Sequence, residues 1–301
     1  MHPVRPPRWP KPGAPLAVAA PAGALPHREF QAGLEVLAEL AGPSPLRVDD
    51  VLWAKDDYLA GDDRQRADHL QSLMTDPALG AVLCARGGFG TSRLLPRLAM
   101  ARLAAAGVCL VGFSDLTALL NPLAAAGLMS VHGPVVTQLP RLDDPSREAY
   151  AALLAGRPPW PARLRGQGLT RGRARGRLLG GNLTLLCHLL GTPYFPDPAG
   201  AIWFIEEVNE EPYRLDRLFT QMELAGVLAA VTGVAVGRLG DGRDHDPSLD
   251  EVVRRRLGGL DQPVVVGLPF GHGPANRPLL VGAAAELDAA AGTLLVGADL
   301  G

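Results

Sequence analysis

The sequence predicts an α/β fold made of an N-terminal parallel-sheet domain and a C-terminal β-rich domain. Between residues 15 and 140, short apolar runs alternate with helical patterns, which is typical of a parallel sheet covered on both faces. Between residues 171 and 301, the late apolar runs follow one another without long helices, which favours a mixed or barrel-like sheet. The chain has 301 residues, 47% of them hydrophobic, which is enough for two such domains.

The first half contains three clear strand patterns with helical patterns between them. Strands are predicted at PLAVAAPAG, LGAVLCARGG and VCLVGF. Helices are predicted at HREFQAGLEVLAELAG, which ends at Gly42, at DDRQRADHLQSLMTD, and at DLTALLNPLAAAG, which ends at Gly127. Ligands of such sheets bind at the carboxyl ends of the strands, where the segments ARGGFG and GFSD both lie.

The second half is separated from the first by a segment of different composition. Residues 141–170 are rich in Pro, Gly and Arg and are predicted to link a domain over 15–140 to one over 171–301. Residues 1–14 are rich in Pro and are predicted to form a flexible tail. The later strands are predicted at GRARGRLLGG, AIWFIEE, AAVTGVAVGRL, QPVVVGLPF, RPLLVGAAAELD and GTLLVG, with helices at NLTLLCHLLG and YRLDRLFTQMELAG.

Charge and composition exclude several classes of function. The formal charge of −2, from 29 basic and 31 acidic residues, gives no general attraction for nucleic acid or an anionic membrane. Three cysteines without a CxxC spacing predict no zinc site and favour a reducing compartment. No run reaches the roughly 18 apolar residues of a membrane helix. Pro15 and Pro21 interrupt the N-terminal apolar stretch, which argues against a secretion signal.

Ser114 stands at a strand-to-helix junction and has two interpretations. A serine there commonly caps the helix, because its oxygen accepts a backbone N–H. It is alternatively a nucleophile on a sharp turn, with helix N–H groups aimed at an oxyanion. The usual pattern for that turn is G-x-S-x-G, and here Leu116 occupies the last position. The local stretch leaves both interpretations open and favours the cap.

The glycine-rich segment RGGFG also has two interpretations. Gly87, Gly88 and Gly90 follow a strand and could cradle a phosphate, but the G-x-G-x-x-G pattern is not matched and no P-loop lysine follows. A backbone N–H of this turn could equally serve an oxyanion hole.

Two histidines and two glutamates are candidates for acid–base chemistry. His132 in VHGP and His272 in FGHGP each follow an apolar run and precede Gly-Pro, where an exposed, rigidly held base is expected. Glu206 and Glu207 end the strand AIWFIEE, and one of them could orient a histidine. The residues alone leave both choices open.

Other polar residues are predicted to be structural. His188 is expected to pack in the core, and His245 to lie in a solvated acidic loop and not in a metal site. The arginines at alternate positions from Arg171 to Arg177 are expected to line a solvated strand face, and not to bind RNA.

Taken together, the ordered segments resemble the LD-carboxypeptidase (muramoyltetrapeptide carboxypeptidase) family of serine peptidases. The resemblance runs from about Pro15 to the end of the chain, and several blocks at sensible spacing make it specific. Phe113 and Phe89 stand where Tyr is frequent in the family. The blocks are AVAAPAG, LGAVLCARGGFGTSRLLP, VGFSDLTALL, VHGP, LLGGNLTLLCHLLGTPYFPD, FIEEVNEEPYRLDRLFTQMELAG and LPFGHGP.

The resemblance implies a fold and a catalytic triad. It implies a flavodoxin- or Rossmann-like α/β/α domain followed by a swivelling-type β-rich domain. It places the nucleophile on Ser114, the glutamate on Glu206 and the histidine on His272. It places the oxyanion hole on the backbone N–H groups of Gly88 and Asp115.

The resemblance also implies a setting. It implies release of the terminal D-alanine from murein tetrapeptides in the cytoplasm, by a homodimer that binds a small peptide and needs no metal or other cofactor. Arg86, beside the glycine turn, is a candidate for binding the terminal carboxylate of that peptide.

Three other functions remain open at this point. Some members of the family resemble immunity peptidases that cleave peptidyl nucleotides of the microcin C type, for which no aromatic platform can be placed from sequence. A non-catalytic nucleotide-binding module would use RGGFG. An ordinary α/β-hydrolase esterase would require the G-x-S-x-G pattern, which is incomplete here.

Overall fold

The protein, as a computed structural model describing residues 4–240 and 247–297, divides into two compact units. Unit 1 runs to Pro159 and includes Arg277–Leu279, and unit 2 takes Trp160–Asn276 and resumes at Leu280. The boundary at Pro159 therefore lies inside the segment 141–170 predicted as a linker. Much of that segment belongs to unit 1, because Asp144–Leu154 form a helix there.

Unit 1 is built on a parallel sheet, as predicted. Its strands are β1 (Leu16–Ala19), β2 (Leu46–Arg47), β3 (Ala81–Cys84), β4 (Cys109–Gly112) and β5 (Ser130–His132). The order is β5-β4-β3-β1-β2, every neighbouring pair in it is parallel, and a late strand, β12 (Leu279–Val281), lies outside β5. β1, β3 and β4 are buried along their whole length, which explains why they are continuous apolar runs.

Helices follow most strands of unit 1. They are α1 (His27–Ala41), α2 (Asp63–Met74), α3 (Met100–Ala106), α4 (Thr117–Ala125) and α5 (Asp144–Leu154). Shorter 3₁₀ turns span Asp50–Trp53, Thr91–Arg97, Ser114–Leu116 and Val136–Arg141. α2 begins with a capping box, in which Asp62 accepts the Gln65 N–H and the Gln65 side chain accepts the Asp62 N–H.

The N-terminal segment is held on unit 1. Arg5 donates its backbone N–H to Gly127 at 3.0 Å and accepts that of Met129 at 2.9 Å. Arg8 donates its N–H to Gly107 at 2.7 Å, and the Arg5 guanidinium contacts two further carbonyls. Where the sequence predicts a flexible tail, residues 5–8 therefore form two short bridges to the body of the unit.

Unit 2 is built on an eight-stranded mixed sheet. The strands are β6 (Ala162–Arg165), β7 (Gln167–Gly168), β8 (Arg173–Asn182), β9 (Ala201–Glu207), β10 (Gly233–Leu239), β11 (Val264–Val266), β13 (Ala284–Asp288) and β14 (Thr293–Val296). Their order is β6-β14-β13-β8-β9-β10-β11-β7. The four central strands β8 to β11 are parallel and the outer pairs are antiparallel. The prediction of a mixed β-rich domain is confirmed.

One expectation about unit 2 was wrong. Its helices are α6 (Leu183–Leu189), α7 (Pro212–Leu224), α8 (Val227–Ala230) and α9 (Pro247–Leu257), and α9 stands between β10 and β11, where no long helix is predicted. The buried residues of α9 are Leu249, Val252, Val253 and Leu257. They follow helical spacing and join the core around Trp203 and Phe219. The many charges between them conceal that pattern.

Of the alternating arginines, Arg173, Arg175 and Arg177 lie on β8 as predicted, while Arg171 precedes the strand. Arg173 and Arg175 are exposed on β8 and pair across the sheet with Asp288 and Glu286 of β13, at 2.7 and 2.9 Å. This confirms a solvated strand face. Within the part of the chain that the structure describes, no helix has the length and apolarity that a membrane crossing requires.

Candidate active site

Ser114 occupies a strained position directly after β4. Its φ is +64°, and among the described residues it shares a positive φ with two other non-glycine residues, Asp57 and Asn209. Such a conformation costs about 1–3 kcal/mol and persists where the surrounding structure dictates it. Ser114 is the first residue of the 3₁₀ turn, and the capping positions are Phe113 and Leu116. The helix-cap interpretation was therefore wrong. Ser114 lies on a strained strand-to-helix turn, as the alternative interpretation requires, and its action as a nucleophile stays a prediction.

Two glycines make room for this turn. A Cβ added at Gly112 would lie 2.9 Å from the Cγ of Leu116 and 3.1 Å from the Sγ of Cys84. A Cβ added at Gly87 would lie 3.0 Å from both the Cβ and the Oγ of Ser114, and 3.5 Å from the Asp115 nitrogen. The glycine-rich segment thus packs directly against the serine and the peptide that follows it.

The glycine-rich turn is fixed from both sides. Asp115 is fully buried and its Oδ2 accepts the Thr91 N–H at 2.8 Å, directly after the turn. Burial raises the pKa of the Asp115 carboxyl, and the hydrogen bonds to Thr91 oppose that rise. The buried Arg66 guanidinium donates to the carbonyls of Gly90 at 3.1 Å and Pro21 at 2.5 Å. Because Asp115 adjoins Ser114, one carboxylate ties the turn at Ser114 to the glycine turn.

The exposed part of the glycine turn is Gly88, whose φ is +108°, and the adjoining Phe89. The proposed oxyanion donors, the N–H groups of Gly88 and Asp115, therefore belong to two segments that pack on each other in unit 1. Their action on an oxyanion stays a prediction.

In unit 2, Glu206 and His272 form a hydrogen-bonded pair. Glu206 is the penultimate residue of β9 and is fully buried, and its Oε2 lies 2.6 Å from Nδ1 of His272. The histidine side chain is 18% exposed. A carboxylate on Nδ1 fixes the tautomer with its proton there, so Nε2 is the nitrogen that can accept a proton.

The loop carrying His272 needs a glycine before it. Gly271 has a φ of +122°, and its N–H donates to Oδ1 of Asn276 at 3.1 Å. A Cβ at this position would lie 3.3 Å from the Cβ of Glu206. The pattern F-G-H-G-P therefore places the imidazole against the glutamate through a conformation that favours glycine.

Glu207 has a different role from its neighbour. Its Oε1 accepts from Asn182 Nδ2 and the Val208 N–H, each at 2.9 Å, and its Oε2 accepts the Thr184 N–H at 2.8 Å. Burial, and next the nearby Glu206 charge, raise its pKa. Successive strand residues point to opposite faces, so Glu206 contacts the histidine while Glu207 joins the ends of β8 and β9.

The other candidate residues lie elsewhere. His132 ends β5 and is completely buried, with its ring edge-on to Phe113 at 5.7 Å, so it is not the exposed base that the sequence allows. His188 is exposed, contrary to the expected core position, because it lies on the outer face of α6. Arg86 donates Nη1 to the Ala24 carbonyl at 2.5 Å. His245 lies outside the described residues.

Sequence reasoning missed the residues that hold the turns. Arg66 and Thr91 carry no recognisable signal, because a buried arginine in α2 resembles any other helical charge until its carbonyl partners are known. Asn182 could have been found, since an Asn at the start of the helix pattern NLTLLCHLLG is a common N-cap, and its side chain accepts the Leu185 N–H. Among residues 4–240 and 247–297 there is no metal-binding cluster of three or more His, Cys, Asp or Glu side chains.

Comparison with known proteins identifies the family. The LD-carboxypeptidase N-terminal domain matches residues 16–133, and the LD-carboxypeptidase C-terminal domain matches residues 175–287. The chain therefore belongs to the LD-carboxypeptidase family, a family of peptidases and thus of hydrolases.

Individual relatives support this assignment over almost the whole length. The murein tetrapeptide carboxypeptidase of Pseudomonas aeruginosa is 34% identical over 288 residues, 91% of this chain and 92% of that protein. A Synechocystis protein whose carboxypeptidase name is provisional is 40% identical over 94% of both chains. The crystal structure of muramoyltetrapeptide carboxypeptidase from Oxalobacter formigenes is 30% identical, with a TM-score of 0.81 over 94% of this chain and 98% of that chain.

A relative with another activity shares the architecture. The microcin C7 self-immunity protein MccF of Escherichia coli is 27% identical over 89% of both chains. A structure of MccF in complex with aspartyl sulfamoyl adenosine has a TM-score of 0.81 at 22% identity, over 97% of this chain and 98% of that chain. The likeness to that structure concerns the fold.

Proposed function

We propose that this protein is a serine-type LD-carboxypeptidase that releases the terminal D-alanine from murein tetrapeptides by hydrolysing an L,D-peptide bond. The observation that carries the proposal is the buried Glu206 held 2.6 Å from Nδ1 of His272. The strained Ser114 beside a glycine turn supports it. The murein tetrapeptide carboxypeptidase among the relatives supports the substrate.

In the first step, Ser114 Oγ attacks the carbonyl carbon of the scissile bond. His272 Nε2 takes the serine proton, and Glu206 stabilises the imidazolium that forms. The carbonyl oxygen becomes an oxyanion, which accepts hydrogen bonds from the N–H groups of Gly88 and Asp115. The mechanism requires the hydroxyl of Ser114, in unit 1, to react together with the Glu206–His272 pair of unit 2.

In the second step, the tetrahedral intermediate collapses. His272 gives its proton to the amine of the leaving D-alanine, and the peptide stays bound to Ser114 as an ester. Water then attacks this ester with His272 again as the base, which restores the serine hydroxyl and releases the shortened peptide. The reaction needs no redox step and no other co-reactant.

Arg86 is the proposed partner of the terminal carboxylate. A guanidinium has five N–H donors, and the bond to Ala24 uses one of them. The side chain precedes the glycine turn and is partly exposed. An Arg86→Ala variant should raise KM for the tetrapeptide, whereas unchanged KM and kcat would remove Arg86 from the site.

The proposed setting is the cytoplasm, with the protein acting as a homodimer on recycled cell-wall peptides. The three cysteines are free and buried, which suits a reducing compartment. Sedimentation velocity at micromolar concentration measures the oligomeric state, and a monomer would contradict the dimer.

A second candidate function is cleavage of aminoacyl or peptidyl nucleotides, as in microcin C immunity. The relation to MccF over 89% of the chain favours it, whereas the higher identity to the murein enzyme favours the first function. Family membership argues against a non-catalytic nucleotide-binding module and against an ordinary esterase.

One experiment separates these functions. The wild type and a Ser114→Ala variant are incubated with a murein tetrapeptide ending in D-alanine and, separately, with aspartyl sulfamoyl adenosine. Mass spectrometry should show loss of one alanine from the tetrapeptide with the wild type alone. Cleavage of the sulfamoyl adenosine alone would establish the second function, and equal turnover by Ser114→Ala would exclude a serine mechanism.

A further inference from the structure

An exposed aromatic pair lies beside the glycine turn. Within residues 4–240 and 247–297, five large hydrophobic side chains are exposed, and three of them lie in unit 1: Trp53, Tyr58 and Phe89. Tyr58 is 55% and Phe89 45% exposed, and their ring centroids are 5.9 Å apart at an angle of 57°. Phe89 directly follows Gly88, the proposed oxyanion donor.

One backbone frame holds both rings. The Ala24 N–H donates to the Tyr58 carbonyl at 2.8 Å, and the Gly23 N–H donates to the Gly87 carbonyl at 3.1 Å. A Cβ added at Gly23 would lie 3.1 Å from that Gly87 oxygen. The loop with Tyr58 and the turn with Phe89 are therefore anchored to the same two residues, so the backbone that carries both rings is fixed.

The backbone around both rings is in unusual conformations. Asp57, directly before Tyr58, has a φ of +53°, and Gly88 and Gly90 on either side of Phe89 have φ values of +108° and +124°. The first of these costs energy for a residue with a side chain. Strain of this kind accumulates at functional sites, and here it accompanies two rings that stabilise no core.

We propose that Tyr58 and Phe89 form the subsite for the side chain of the residue that supplies the scissile carbonyl. The inference rests on the proposed function, in which the Gly88 N–H holds that carbonyl oxygen. Consecutive Cα atoms are about 3.8 Å apart, so Phe89 starts within one residue of the reacting group. A group that covers the rings must then belong to a residue next to the scissile bond.

The size and charge of the subsite indicate which side chain binds there. The leaving alanine has one methyl group, which is too small to cover two rings, so the occupant is the residue on the acyl side. The loop before Tyr58 presents two exposed carboxylates, Asp56 and Asp57, against the one exposed ammonium of Lys55. Aromatic faces attract a cation, and in this loop the carboxylates outnumber the ammonium. The subsite therefore suits a diamino acid, whose aliphatic stem packs on the rings and whose ammonium remains near the carboxylates.

The test uses two tetrapeptides ending in D-alanine that differ in the preceding residue, L-lysine or L-alanine. The measured quantity is the ratio of kcat/KM for the lysine peptide to kcat/KM for the alanine peptide. The variants are Tyr58→Ser, Phe89→Ser and the double variant. Tyr213→Ser is the matched control, because Tyr213 is 63% exposed on α7 of unit 2.

The ratio should exceed one in the wild type and fall about tenfold in the double variant, which is the size expected for one cation–π contact with partial stem burial. Tyr213→Ser should keep the wild-type ratio. The single variants retain the test if the double variant fails to fold.

Other results would overturn the inference. An unchanged ratio in all three variants means that the pair does not contact this side chain. Selective loss of aspartyl sulfamoyl adenosine cleavage would assign the pair to a nucleoside, and a shift from dimer to monomer with an unchanged ratio would assign it to a second copy of the chain. If the wild type cleaves neither tetrapeptide, the proposed function fails first.

Discussion

Replacing Asp115 with alanine should lower both stability and rate, and the two effects can be separated. The Asp115 carboxylate accepts the Thr91 N–H at 2.8 Å, and Thr91 is itself fully buried. Removing the Asp115 carboxylate leaves the Thr91 N–H without an acceptor, which costs about 1–3 kcal/mol in free energy of unfolding. The relief of a buried charge, which burial makes unfavourable, offsets a part of this cost.

The rate effect follows from where the lost bond lies. Thr91 starts the 3₁₀ turn directly after Gly90, so losing its anchor frees the end of the glycine turn that carries Gly88. Loss of a complete oxyanion donor costs roughly 100- to 1000-fold in kcat. A loosened donor should cost less, about 10- to 100-fold, with KM little changed.

Two further variants identify the cause. Asp115→Asn keeps an acceptor oxygen for Thr91 and should recover most of the lost kcat. Asp143→Ala is the control, because Asp143 accepts the Ser146 N–H at 2.9 Å at the start of α5 in the same unit. It should lose about 1 kcal/mol of stability while kcat stays at the wild-type value.

The assay combines urea unfolding with steady-state kinetics on the murein tetrapeptide. The reasoning is refuted if Asp115→Ala loses stability but keeps wild-type kcat, as the control does. It is also refuted if Asp115→Asn is as slow as Asp115→Ala, since the charge would then matter and not the anchoring bond.

Three other predictions address packing, thiols and pH. Gly87→Ala should lower kcat about 10- to 100-fold, because its Cβ would press on Ser114 at 3.0 Å, while Gly259→Ala, which meets open space, should match the wild type in the same kinetic assay. Burial raises the pKa of the Cys109 and Cys187 thiols to about 12 and that of the Cys84 thiol further. In a titration with a coloured disulfide reagent at pH 8, the folded protein should therefore show no reactive thiol, and the unfolded protein should show three. A reactive thiol in the folded state would contradict that burial. The Arg256 and Arg255 guanidinium groups lower the pKa of Asp216, so Asp216→Asn should be less stable than the wild type at pH 7. The difference in urea midpoint should begin to shrink as the pH falls below about 4, where the unfolded carboxyl is protonated, and should vanish only below the lowered pKa of the folded protein. A difference in urea midpoint that does not decrease between pH 7 and pH 3 would exclude this ion pair as its cause.

The parallel sheet of unit 1 could be predicted because its strands are buried on both sides. Such strands are uninterrupted apolar runs, as in Leu16–Ala19 and Ala81–Cys84, and no other local structure competes for them. α9 was missed for the opposite reason. Its buried face is four residues among many charges, and the core that covers this face is built from distant strands and helices.

The candidate site shows the same division. The residues alone left Ser114 as a cap or a nucleophile, because both require a serine at a strand end. The backbone excludes the cap, since φ at Ser114 is positive and the cap falls on other residues, and the nucleophile stays a prediction. Glu206 and Glu207 are equivalent in sequence, and they differ once the strand presents one to His272 and the other to Asn182.

Residues that act through backbone carbonyls carry no sequence signature of that role. Arg66 donates to Gly61, Pro21 and Gly90, three carbonyls from three segments, and any polar helix could hold such an arginine. Tyr58 and Phe89 likewise become a pair through Gly23 and Ala24.

The most direct measurement of the central claim is a double-mutant cycle on Ser114 and His272. If the hydroxyl and the imidazole work as one unit, Ser114→Ala and His272→Ala should each lower kcat by roughly 10⁴- to 10⁶-fold, and the double variant should be no slower than the slower single variant. Losses that multiply in the double variant would show that the two side chains act independently. Near-normal turnover by Ser114→Ala would show that the serine is not the nucleophile.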